Sequence, residues 1–160
     1  MSASQILLFE LDDGEQPIGT FGVDVGEVWQ VIEPTELREV PLCPPTVVGI
    51  MSYGGRIVTV VDPSPVLGFA AQSGPIGQVV IVRDERRPLG NLGLKVSRIR
   101  QIVDMSAMKE ADVAAGPHIR CAVQLGARLV HVIDVAAFMN GLGKEFGPAP
   151  DAAPREGVTE

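Results

Sequence analysis

Apolar residues come in short runs cut by Gly, Pro and Asp, and a helical period is hard to find. Residues 5–11, QILLFEL, are almost continuously apolar and stop at Asp12-Asp13-Gly14, a turn signal. Over 17–25, Phe21, Val23 and Val25 alternate with Gly22 and Asp24, which predicts a half-buried strand. VWQVI at 28–32 continues it past a bend or bulge at Gly26 and ends at Glu33-Pro34. Pro41, Pro44 and Pro45 keep a long helix out of 35–45, which reads as a loop. Runs at 47–53 and 56–61 flank Gly54-Gly55, and the second holds the β-branched stretch Ile57-Val58-Thr59-Val60-Val61. Gly enters positive φ cheaply, so this is a β-hairpin, closed by Asp62-Pro63.

The pattern then recurs. GTFGVDVGEVWQVIE at 19–33 returns as GNLGLKVSRIRQIVD at 90–104, with Gly22 on Gly93, Val28 on Ile99 and Gln30 on Gln101, 71 positions apart. GGRIVTVVDPSPVL at 54–67 returns as GARLVHVIDVAAFM at 126–139, with Arg56 on Arg128 and Asp62 on Asp134, 72 positions apart. Two phrases in one order at nearly one offset indicate a duplication. The Pro- and Gly-containing connector 63–77 places the boundary, giving units of approximately 5–68 and 77–142. The second unit opens with the strand QVVIV at 78–82, followed by a charged turn at 84–88. Residues 106–115 suggest one or two helical turns, and 119–125 with 128–133 a second hairpin around Gly126. Residues 135–142 read as a short helix capped by Asp134 that covers an open barrel end. Residues 143–160, rich in Pro, Ala, Gly and Glu, read as a disordered tail. About five short strands per unit and little helix imply an all-β architecture, two small barrels side by side.

Composition narrows the function. The 160 residues are one domain's length and carry a net charge of −7, against non-specific nucleic-acid binding and membrane-surface binding. No signal peptide or long apolar span is apparent, and Cys43 and Cys121 lie far apart, as expected of a reduced cytoplasmic protein. Phosphate-loop, dinucleotide and nucleophile-elbow patterns are missing. Cys43, His118, Cys121 and His131 are the soft ligands, but their spacing favours packing roles over a zinc site or a Cys–His pair. Asp62 and Asp134 follow strands in both copies, as turn and cap residues do. No catalytic residue, metal or cofactor is assigned.

The order of phrases resembles the CheW-like coupling proteins of bacterial chemosensory systems, over roughly 5–142. The family's aromatic-Gly-Ile-Asp-Ile stands as Phe21-Gly22-Val23-Asp24-Val25, followed by Val28-Trp29-Gln30-Val31. Its Val-Pro-x-x-Pro stands as Val40-Pro41-Leu42-Cys43-Pro44, and its hallmark Gly-Val-x-Asn-Leu-Arg-Gly as Gly49-Ile50-Met51-Ser52-Tyr53-Gly54-Gly55. The resemblance implies two tandem five-stranded SH3-like barrels with a short C-terminal helix, forming one CheW-like domain over 1–142. It implies a non-enzymatic adaptor linking the cytoplasmic tip of a methyl-accepting chemoreceptor to the regulatory domain of a CheA-type histidine kinase, with other CheW-like proteins as further partners. Carried over by position, Val28, Gln30, Gly49, Ser52, Tyr53, Gly54, Gly55 and Arg56 would line or flank the receptor groove. The alternative is a scaffold or localisation factor of a motility complex without kinase coupling. The sequence departs from the family where its Arg is Gly54, where its paired Glu is Gln30, and where the second unit's Asp is Ser97.

Overall fold

The computed structural model describes residues 5–12, 17–34, 37–39, 41, 46–72, 76–83, 91–111, 116 and 118–146, with the side chains of all but 91 and 143–146. Cys43, the charged turn at 84–88 and residues 112–115 and 147–160 lie outside this set.

Eleven strands are described: β1 (Gln5–Asp12), β2 (Pro17–Asp24), β3 (Val28–Ile32), β4 (Val47–Tyr53), β5 (Arg56–Val61), β6 (Gln78–Val82), β7 (Asn91–Val96), β8 (Arg98–Asp104), β9 (Lys109–Glu110), β10 (Ile119–Leu125) and β11 (Arg128–Ile133). The expected bend at Gly26 is a 3-10 turn, Val25–Glu27, where the Asp24 carboxylate accepts from the Gly26 amide at 2.8 Å. Two short segments differ from expectation. A single helical turn, α1 (Pro63–Val66), opens the connector, because Pro63 suits the first position of a helix capped by Asp62. The stretch after β8 is a 3-10 turn, Met105–Ala107, followed by β9, which pairs with β10.

The duplication shows in the strand order, and each sheet draws strands from both sides of the connector. One sheet has the order β8-β1-β2-β11-β10-β9 and the other β3-β6-β7-β5-β4. Under the repeat, β1, β2, β3, β4 and β5 correspond to β6, β7, β8, β10 and β11, so the second order is the first with the copies exchanged. Each copy lends its first two strands to the sheet built on the other copy's hairpin. The registers agree: Phe21 lies opposite His131 and Gly22 opposite Val132, as Leu92 lies opposite Thr59 and Gly93 opposite Val60. Strands of 5–68 and 77–142 therefore interleave in both sheets. Hydrophobic pattern identifies strands but not partners, and the parallel β2–β11 and β5–β7 pairings join segments far apart in the chain.

Burial explains the apolar runs. β1 and β6 are covered on both faces. Ile6 and Leu8 pack with Val123, Val130 and Val132 in the first sheet's own core, and Val79 and Ile81 pack with Met51, Val58 and Val60 in the second's. Leu7, Phe9, Val80 and Val82 point into a third core shared by both sheets. The C-terminal helix α2 (Val135–Phe146) buries Val135, Phe138, Met139 and Leu142 in that shared core, so it seals the junction of the sheets and not a barrel end. It also runs four residues past 142, into the stretch expected to be tail.

Candidate partner-binding surface

The hallmark segment ends at the β4–β5 turn. Gly54 and Gly55 have φ of +59° and +78°, the left-handed pair that a two-residue turn needs to match strand twist. A Cβ on either would meet nothing within 4 Å, so the turn projects freely. Across the sheet, β3 carries a bulge: Val28 pairs with Val82 and Gln30 with Ile81, leaving Trp29 as the extra residue. The bulge turns the indole onto the hairpin. The Trp29 and Tyr53 rings meet edge to face at 5.9 Å and 82°, and the Arg56 guanidinium lies 5.6 Å from the Trp29 ring centre. Since β3 and β4 are opposite edges of the sheet, this contact shows the sheet curling on itself.

The eight residues expected at the groove divide accordingly. Tyr53, Gly54, Gly55 and Arg56 form the turn and share it with Trp29, which lay within the motif but was not among the eight. Ser52 is exposed beside Ile57, itself 59% exposed, on the other face of the hairpin. Gln30 is exposed and Val28 packs toward the shared core. Gly49 has a structural role: a Cβ there would sit 2.6 Å from the Arg38 carbonyl oxygen, where Arg38 and Ile50 exchange backbone hydrogen bonds at 2.8 Å. Trp29 could have been found, because it is the chain's sole tryptophan on a half-exposed strand.

The corresponding end of the other sheet has different chemistry. There the β1–β8 bulge skips Arg100, the counterpart of Trp29, and Arg128 follows the Gly126 turn as Arg56 follows Gly55. Glu10 takes Arg128 at 2.9 Å, Arg100 at 3.3 Å and Arg98 at 4.0 Å. This end is tied by ion pairs, the hallmark end by aromatic rings.

The remaining polar groups are structural. Asp62 accepts from the Ser64 amide, the Gln72 amide and Gln72 Nε2 at 3.0, 2.7 and 2.8 Å, while Asp134 accepts only from the Ala137 amide among the described contacts, at 3.0 Å. Ser97, at the position of the family's Asp, accepts from the Asp12 amide and donates to Gln72 Oε1, at 3.0 and 3.2 Å. Burial, then the negative charge of Asp24, raises the Glu27 carboxyl; Arg120 opposes this and Asp134 adds to it. Burial lowers His131, whose ring lies 5.7 Å from Phe21 and 6.3 Å from Phe69. His118 has φ +63° and stacks closely on Gly141, and Cys121 packs beside the first sheet's core. Among the described residues no group of three His, Cys, Asp or Glu could hold a metal, and no helix is long and apolar enough to cross a membrane.

The CheW-like domain model matches residues 5–142, nearly all of the described chain. The chain belongs to the CheW-like family. No curated protein matches the sequence. Among solved structures it is similar to the scaffolding protein TtCheW from Thermoanaerobacter tengcongensis, at 18% identity and a TM-score of 0.65, covering 83% of this chain and 89% of that one. The mainly β fold of two sheets with a short C-terminal helix is that of this structure. The chain is thus a CheW-like domain, of a family whose members are non-enzymatic.

Proposed function

We propose that this CheW-like domain couples the cytoplasmic tip of a chemoreceptor to the regulatory domain of a CheA-type histidine kinase. The observation that carries the reading is the hallmark segment, which here ends in a free-standing Gly54-Gly55 turn with Trp29, Tyr53 and Arg56 grouped beside it. The receptor tip would bind at this turn, with Ser52 and Gln30 flanking it. The kinase domain, a CheW-like fold itself, would dock through like-to-like sheet packing. The family's Glu–Arg pair stands as Gln30 and Gly54, so the receptor contact is made by other means. Gln30 and Gly54 are both exposed, where an ion pair contributes only about 0–1 kcal/mol, so replacing both members costs the fold little.

The test is parallel titration of the purified chain with a receptor signalling fragment and with a kinase regulatory domain. Binding of both at micromolar strength establishes a coupler. Binding of one alone makes it an accessory adaptor. Binding of neither overturns the proposal in favour of a scaffold serving a different complex.

A further inference from the structure

We infer that Trp29, Tyr53 and Arg56 form the anchor that selects the receptor tip at the hallmark turn, and that the tip presents there a carboxylate flanked by apolar side chains. The inference rests on the coupling role proposed above and names the residues and chemistry of its receptor-side contact.

The duplication supplies an internal control. A bulge residue meeting the arginine after the hairpin turn occurs in both sheets, as Arg100 with Arg128 and as Trp29 with Arg56. In the first sheet the meeting point is Glu10, and among the described residues this end shows ion pairs and no aromatic ring contact. An equivalent end can therefore close without aromatic rings, although Trp29 and Tyr53 also pack against the second sheet's core. Yet the chain's single tryptophan and single tyrosine both stand at the hallmark end, in contact with one another. Trp, Tyr and Arg are the residue types that dominate interface energetics, and here they are adjacent, partly exposed and beside a turn with open space around it.

Charge chooses the occupant. Arg128 spends its guanidinium on Glu10, but among the described residues Arg56 has no carboxylate partner. A guanidinium stacked on a ring keeps its N–H edge available for a planar, two-pronged bond to a carboxylate. The rings beside it offer area to an apolar side chain next to that carboxylate.

Trp29 also makes the test specific. Full-length chain labelled with 5-fluorotryptophan has a single fluorine resonance, that of Trp29. Titration with a receptor signalling fragment should shift or broaden this resonance, and the kinase regulatory domain should not. Arg56→Glu should weaken fragment binding about tenfold and leave kinase-domain binding unchanged. Trp29→Phe, which keeps an aromatic ring in place, should weaken the fragment by a smaller factor. Fragment binding with an unmoved resonance and an unaffected Arg56→Glu variant would overturn the anchor while sparing the coupling role. No binding of fragment or kinase domain would overturn both.

Discussion

Asp62 and Asp134 hold the same place in the two copies, yet they should differ severalfold in what they contribute to stability. Each follows a strand and caps a helix. Asp134 is half-buried and accepts from the Ala137 amide, so Asp134→Ala removes one cap, worth about 1 kcal/mol. Asp62 is 4% exposed and also holds the Gln72 amide and side chain, and Gln72 in turn reaches the Lys95 carbonyl and Ser97. Asp62→Ala strands two further donors in a buried site, each costing about 1–3 kcal/mol and not fully additive. The expected loss is about 3–5 kcal/mol. At about 2–4 °C per kcal/mol for a chain of this size, Asp62→Ala should lower Tm by roughly 6–20 °C and Asp134→Ala by about 2–4 °C. Urea denaturation of both variants gives the same comparison at constant temperature. Equal losses in the two variants would refute the claim that Asp62 ties the connector to β7.

Gly22→Ala and Gly93→Ala should each cost about 1–3 kcal/mol in urea melts, since a Cβ would lie 2.5 Å from Ile6 Cγ2 or Val79 Cγ1 in filled cores; a cost-free substitution at either would show that those strands can part. Restoring the family charges with Gln30→Glu and Gly54→Arg should cost about 1–2 kcal/mol, because Arg must adopt φ near +59° although it meets no clash. That double variant should strengthen receptor-fragment binding, and unchanged affinity would argue against a contact there. Burial depresses His131, so the unfolded chain binds its proton first. Stability should be complete above the ordinary imidazole value of 6.5 and fall as pH drops through the lower folded value. In His131→Gln that slope should flatten, and a melt series from pH 7.5 to about 5 shows whether it does.

The sequence by itself determined the local structure. The β-branched runs, Gly54-Gly55 and the capping aspartates specify strands, turn and helix starts through interactions a few residues long, and their recurrence at a near-constant offset identified the duplication. The hallmark phrase located the turn and the family. Sheet partners were decided only in three dimensions. β1 and β6 are apolar on both faces, so their pattern accepts either copy's hairpin as a neighbour, and burying all three cores at once selects the exchanged arrangement. The same holds for α2, whose apolar stripe would suit a barrel end or the junction between sheets. Trp29 shows the limit most directly. A bulge shifts the strand register by one residue, and that shift, set by pairing with β6, brings the indole to Tyr53 and Arg56 while Val28 turns toward the shared core.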